Sequence, residues 1–121
     1  MKLILAILRI SKMQETKKAL EAAGLPSFTV MPVIGRGRGH GDLEKSHKFD
    51  SEHQELITSI PRLKSKRMIT LVVTDEKKDA AIEALMKVNH TGESGDGKIF
   101  VVNTVDSVHI RTGVTGDATL D

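Results

Sequence analysis

The sequence predicts an α+β fold made of two strand-helix-strand units in tandem, with a long loop between them. Three observations carry this expectation. Each half opens on a short apolar run, Leu3 to Leu8 and Met68 to Val73. Each run is followed by apolar residues at helical spacing and then by a second apolar run. Between the halves, from Arg36 to about Lys64, there is no sustained period of either kind.

Leu3 to Leu8 is bounded by charge at both ends, which marks a buried strand. Ser11 with Gln14 three residues on has the form of a capping box, so the first helix is expected to start there. Met13, Leu20 and Ala23 would share one helical face, and Gly24 followed by Pro26 would end it. Phe28 to Ile34, with Val30, Met31 and Val33, reads as the second strand. In the second half Thr74 or Asp75 would cap a helix whose buried stripe is Ala81, Ile82, Leu85 and Val88. A Gly-rich turn leads into a strand at Lys98 to Val102. Ser107 to Thr112 alternates Val108 and Ile110 with His109 and Arg111, as a strand with one polar face would. Two such units, without sequence identity between them, suggest a ferredoxin-like split βαβ subunit.

A chain of 121 residues, 39% hydrophobic, suits a single domain over 1–121. With no Trp, no Tyr and three Phe, its core must be aliphatic, and small aliphatic domains often gain stability by oligomerising. The absence of cysteine removes disulfides, thiolate nucleophiles and Cys-based metal sites, and fits a reducing compartment. Arg9 ends the first apolar run before a signal-peptide core or a membrane span is complete, so a soluble, cytoplasmic protein is expected. A net charge of +2 is too small for a general nucleic-acid or membrane-surface binder. The excess is local: residues 36–67 hold eight Lys or Arg against five acids. Long aperiodic loops are usually functional or disordered. Here mixed charge with scattered Leu43, Phe49, Leu56, Ile57 and Ile60 favours a segment that orders against a partner.

Gly92 to Lys98 has the spacing GxxxxGK, but Ile99 stands where a P-loop needs Ser or Thr, and a strand follows where a P-loop has a helix. It is not a Walker A motif. Glycines still let backbone amides approach an anion, and Lys98 adds charge. On these residues alone a plain tight turn and a phosphate site are equally supported. Asp96 reads as shaping that turn and not as a base. Gly35-Arg36-Gly37-Arg38-Gly39 is a weak pattern by itself, since no helix signal follows it. Its arginines, with Lys98 and Arg111, would supply charge for a polyphosphate if the fold gathers them. His40, His47 and His53 match no tight chelate, and no catalytic triad or carboxylate pair stands out by spacing.

The run GESGDGKIFV from Gly92 to Val101, followed by Ile110-Arg111-Thr112-Gly113, resembles the signature of the PII nitrogen-regulatory family. Gly35-x-Gly37-Arg38 and the entry Lys66-Arg67-Met68 extend the resemblance over nearly the whole chain. The stretch of about 36–64 matches the position of the family's T-loop, which docks on targets. It is longer than the usual PII pattern and has no tyrosine, so the uridylylation found in some members would be impossible. With Gly35 to Gly39, Pro61 to Met68 and Val88 to Gly95, it is similar to the nitrogenase-associated branch. Members of that branch work as paired paralogues that bind dinitrogenase and switch it off until 2-oxoglutarate accumulates.

The resemblance implies a trimer of ferredoxin-like subunits with ATP or ADP in the clefts between them. By position, Ile7, Thr29 and Val72 would surround adenine and ribose. Gly37, Arg38, Gly95, Gly97, Lys98 and Arg111 would hold phosphates, with Asp96 shaping the turn. Lys66 would pair with a carboxylate of 2-oxoglutarate, beside Gly95 and Gly39. Gly39 stands where the family has a glutamine that helps coordinate Mg2+ and 2-oxoglutarate. His109 replaces a phosphate-binding arginine and Thr70 an acid near the adenine. The expectation is a cytoplasmic sensor, not an enzyme, working as a homotrimer or with a PII-like paralogue. Its target would be dinitrogenase, with no nucleic acid bound and no membrane insertion. Alternatives are a PII-type regulator of ammonium transport or glutamine synthetase, and an ATP-hydrolysing enzyme, which the missing Walker Ser/Thr and base argue against. An RNA-binding module would stack bases on sheet aromatics, for which this chain has no suitable pair.

Overall fold

A computed structural model gives the structure of residues 1–38 and 63–121. Among these are four strands and two α-helices: β1 Lys2–Leu8, α1 Met13–Ala22, β2 Thr29–Gly35, β3 Lys64–Val73, α2 Lys78–Asn89 and β4 Lys98–Asn103. The strands form one sheet in the order β2-β3-β1-β4, every neighbouring pair antiparallel. Sheet order, strand sense and the two helices are consistent with a ferredoxin-like subunit. β1 and β3, which hold the two strongest apolar runs, take the middle. β2 is an edge, where Pro32, with no amide to donate, is tolerated.

Alternate side chains of a strand point to opposite faces. Ile4, Ala6 and Leu8 of β1 and Ile69, Leu71 and Val73 of β3 meet Leu20 of α1 and Ala81 and Leu85 of α2, and with Leu25 they make the core. A fully buried Leu or Ile contributes about 1.5–3 kcal/mol. The opposite face carries Leu3, Leu5, Ile7, Met31, Val33, Met68, Val72, Phe100 and Val102 by register. Both helices lie on the other side, and Phe100 is left 46% exposed. The run Leu3 to Leu8 is therefore fully buried on one face only, where the sequence suggested burial throughout.

Several boundaries differ from expectation for local reasons. Ser11 lies inside a 3-10 turn, Ile10–Lys12, and makes no capping bond; α1 starts after Lys12. The carbonyl of Lys12 is taken by the Thr16 hydroxyl, at 2.7 Å. Thr74 precedes a second 3-10 turn, Asp75–Lys77, again without a side-chain cap, and Asp75 pairs with the Met1 amino group at 3.1 Å. The stop at Gly24 is realised: its φ is 78°, and the amides of Gly24 and Leu25 close onto Glu21 and Leu20. The fully buried stripe of α2 is Ala81, Leu85 and Asn89, with Ile82 and Val88 only partly buried. β3 starts four residues before the apolar run, because Lys64 to Arg67 pair with Gly35 to Pro32 despite their polar side chains. Ser107 to Thr112 is not a strand. An isolated bridge joins Val108 to Thr115, the chain turns at Ile110 to Thr112, and Gly113 (φ 75°) donates to His109 at 2.7 Å. Ile110 is 98% exposed, so the alternation marks no buried face.

Register places four chain segments at one end of the sheet. Gly35 faces Lys64, Leu8 faces Arg67 and Ile7 faces Lys98. The roots of the central loop and the Gly-rich turn thus share one neighbourhood.

Candidate functional site

The turn before β4 is built on glycines that no other residue could replace without strain. Gly92, Gly95 and Gly97 have φ of 86°, 100° and 102°. At Gly97 a Cβ would also lie 1.7 Å from the Ile7 carbonyl oxygen, so the absence of a side chain is what lets the turn close on β1. Asp96 organises the rest. Its carboxylate accepts from the Thr91 amide (2.7 Å) and hydroxyl (2.5 Å), the Gly92 amide (2.9 Å) and Arg9 Nη1 (2.6 Å). The Thr91 hydroxyl first, then the Thr91 amide, Arg9 and the Gly92 amide, hold the Asp96 carboxyl well below the usual carboxylate range. A carboxylate so fully occupied as an acceptor shapes its turn, in line with the reading of Asp96 from sequence. Arg9 Nη2 donates to the Ser94 carbonyl at 3.0 Å, and Lys66 Nζ donates to the Gly95 carbonyl at 2.5 Å.

Beside this turn is a cleft of about 430 Å³, in the size range of small-molecule sites. It collects Ile7, Gly37, Lys66, Gly95, Gly97 and Lys98, six of the residues singled out in sequence. Arg36 and Lys64 add charge, while Val33, Ile34 and Phe100 supply apolar wall, and Ser94 completes the turn. Among the described residues no carboxylate lines the cleft. It is a basic, partly apolar hollow suited to an anion with an uncharged body.

The other expected residues lie elsewhere in the chain. Thr29 and Val72, with Thr70, line a second hollow at the Leu3 end of β1, shared with Ser107, Thr119 and Leu120. Asp121 closes its rim, accepting from the Ser27 amide (2.8 Å) and hydroxyl (2.9 Å). His109 and Arg111 sit on the hairpin bridged at Val108 and line neither hollow; the His109 ring is held by the Thr112 hydroxyl at 3.1 Å. Arg38 is exposed and also outside the cleft lining. Gly39, His40, His47 and His53 lie outside the described residues. Among the described residues no group of three His, Asp or Glu is placed to hold a metal ion. Sequence reading missed Arg9, Lys64 and Ser94. Only the proximity of Lys64 to the predicted third strand could have suggested one of them.

Comparison with known proteins decides what this arrangement belongs to. The family described as nitrogen regulatory protein P-II matches residues 1–114. The chain belongs to the P-II family. It is 40% identical over 99% of its length to the whole of a nitrogen fixation nifHD region GlnB-like protein 2 of Methanococcus maripaludis. It is 43% identical to a protein of the same name from Methanobacterium ivanovii, covering 97% of each chain. A nitrogen regulatory protein P-II of Mesorhizobium japonicum is 41% identical over 96% of each chain. P-II proteins are signal-transduction regulators, and the chain is accordingly a regulator of this family and not an enzyme. The nifHD-region names support its placing in the nitrogenase-associated branch. No helix among the described residues is long and apolar enough to cross a membrane.

Proposed function

We propose that this P-II protein reads ATP or ADP in the basic cleft and passes the result to a nitrogen-fixation target through residues 36–64. One observation carries the reading. The cleft is lined by both roots of that loop, Gly35 to Gly37 on one side and Lys64 and Lys66 on the other, together with the glycine turn. A ligand biases a loop only through different contacts in its two states, and a polyphosphate here would touch both roots at once. The loop would dock on dinitrogenase in the cytoplasm; what supports a nitrogen-fixation target is that relatives are named for the nitrogen fixation nifHD region.

The working unit in this proposal is a trimer of split βαβ subunits, each a single domain over 1–121, made of this chain alone or with a paralogue. Its support is the apolar sheet face that no helix among the described residues covers, the exposed Val105, Val108 and Ile110 beyond β4, and the division of the expected ligand residues. Ile7 and Leu3 mark the two hollows, about 13 Å apart along β1 at the usual rise per residue. A neighbouring subunit would bring its Thr29 and Val72, with its His109 and Arg111, to the Lys98 cleft. Lys66, already bound to the turn, would pair with a carboxylate of 2-oxoglutarate. With no carboxylate among the described residues of the cleft lining, a Mg2+ ion there would be held by ligand oxygens.

Calorimetry tests the reading. Wild-type protein should bind ATP, and Lys98→Ala should weaken it about 10- to 100-fold, the loss of one charge-assisted hydrogen bond. Deleting Glu44 to Leu56 should abolish target inhibition and leave ATP binding intact. Absence of ATP binding by the wild type, or inhibition that persists in the deletion, would overturn it.

A further inference from the structure

We infer that Arg9 is a positioning residue for the glycine turn, acting on bound phosphate through Ser94 and Asp96 and not by touching it; this rests on the proposed nucleotide reading of the cleft. In the sequence Arg9 is only the charge that ends the first apolar run. In the fold it leaves the end of β1, two residues beyond Ile7, and reaches across to the turn. Its guanidinium forks, Nη1 to Asp96 at 2.6 Å and Nη2 to the Ser94 carbonyl at 3.0 Å. A Cβ at Gly95 would come within 3.1 Å of Nη2, so the bare glycine is what admits the guanidinium this close. Neither Arg9 nor Asp96 lines the cleft, whereas Ser94, Gly95, Gly97 and Lys98 do.

Peptide planarity turns these contacts into aim. The C=O and N-H of one peptide point in opposite directions, so capturing the Ser94 carbonyl turns the Gly95 amide away from the guanidinium. The next carbonyl, that of Gly95, is captured by Lys66. Two consecutive peptides are thereby fixed by cations, one just after β1 and one within β3. Backbone amides serve an anion only when they are held in place beforehand. Asp96 extends the hold to the start of the turn, because its remaining acceptor sites take Thr91 and Gly92. The guanidinium is suited to this by its planar fork, which a lysine ammonium cannot reproduce across two separated acceptors.

The test must separate aim from charge and from general loss of fold. Calorimetry with ATP and with adenosine on Arg9→Ala, Arg9→Lys and the double variant Arg9→Ala/Asp96→Asn provides the first readout. Amide exchange at Gly92 to Gly97 in the ligand-free protein provides the second. Arg9→Ala should weaken ATP about tenfold or more while adenosine binding stays within about twofold, and turn amides should exchange about tenfold faster. Arg9→Lys should recover part of the ATP affinity. The double variant, which carries no unpaired charge, should stay weak. ATP affinity regained in the double variant would make the effect one of charge alone and overturn the inference, as would unchanged exchange in Arg9→Ala. Wild-type protein that binds no ATP while exchange responds as expected would remove the nucleotide reading and leave the clamp standing.

Discussion

Asp96 carries the turn at the scale of a single residue. Its folded carboxyl resists protonation below the ordinary Asp range, chiefly because the Thr91 hydroxyl and amide and Arg9 bond to the charged form. The unfolded chain takes up the proton at the ordinary value. Stability from this group is therefore complete above that value and declines as pH falls below it towards the folded pKa. Asp75, lowered by the Met1 amino group and Lys2, acts in the same direction. Urea unfolding of the wild type should show stability falling as the solution is acidified through the ordinary carboxylate range. Asp96→Asn should be less stable at neutral pH and lose less on acidification, with Asp75 supplying the remaining slope. Equal pH slopes in the two proteins would show that Asp96 is not the group responsible. The turn-shaping part of this was readable in the sequence, since glycines spaced around an Asp have few other uses. Arg9 was not, because its partner lies 87 residues away and only the sheet brings the two together.

At the scale of elements, short apolar runs read the four strands and apolar residues at helical spacing read the two helices, because most of these elements bury side chains in the core. Such patterning failed where another force sets the backbone. Lys64 to Arg67 are held in β3 by ladder bonds to β2, and the hairpin at Ser107 imitates a strand by alternation while its backbone turns at Ile110. It also gave no hint that the two helices share a polar contact. Asn89 Nδ2 donates to Thr16 Oγ1 at 3.1 Å and to the Leu85 carbonyl at 2.9 Å, with both residues buried, and the Asn89 Oδ1 atom has no partner among the described residues. Thr16→Val should strand one amide donor and cost about 1–3 kcal/mol. Asn89→Leu removes the unpartnered oxygen as well as the bond. The double variant is expected to cost less than the sum of the singles by about 1 kcal/mol, because it leaves no buried donor short of an acceptor. Denaturant unfolding of the four proteins measures this, and additive costs would mean that the hydrogen bond contributes nothing to the helix contact.

At the scale of the whole molecule, the described residues cover one face of the sheet with helices and leave the other without them, and the expected ligand residues of the two hollows divide between the ends of that second face. The turn and Lys98 are gathered at the Ile7 end of β1; Thr29 and Val72 are gathered at the Leu3 end. If each nucleotide site takes its turn from one chain and its second hollow from the next, damage to the two halves must complement between chains. Lys98→Ala trimers have no intact turn, and Val72→Asp trimers have no intact hollow, so neither should bind ATP tightly. Unfolding and re-forming an equal mixture should restore roughly a quarter of the sites, those pairing a wild-type turn with a wild-type hollow across an interface. The mass of the mixture by light scattering should be three times the 13.2 kDa chain throughout. Trimers that regain no tight ATP binding would show that both halves of the site come from one chain. The sheet face left without a helix among the described residues would then need another account than the one that joins it to nucleotide binding.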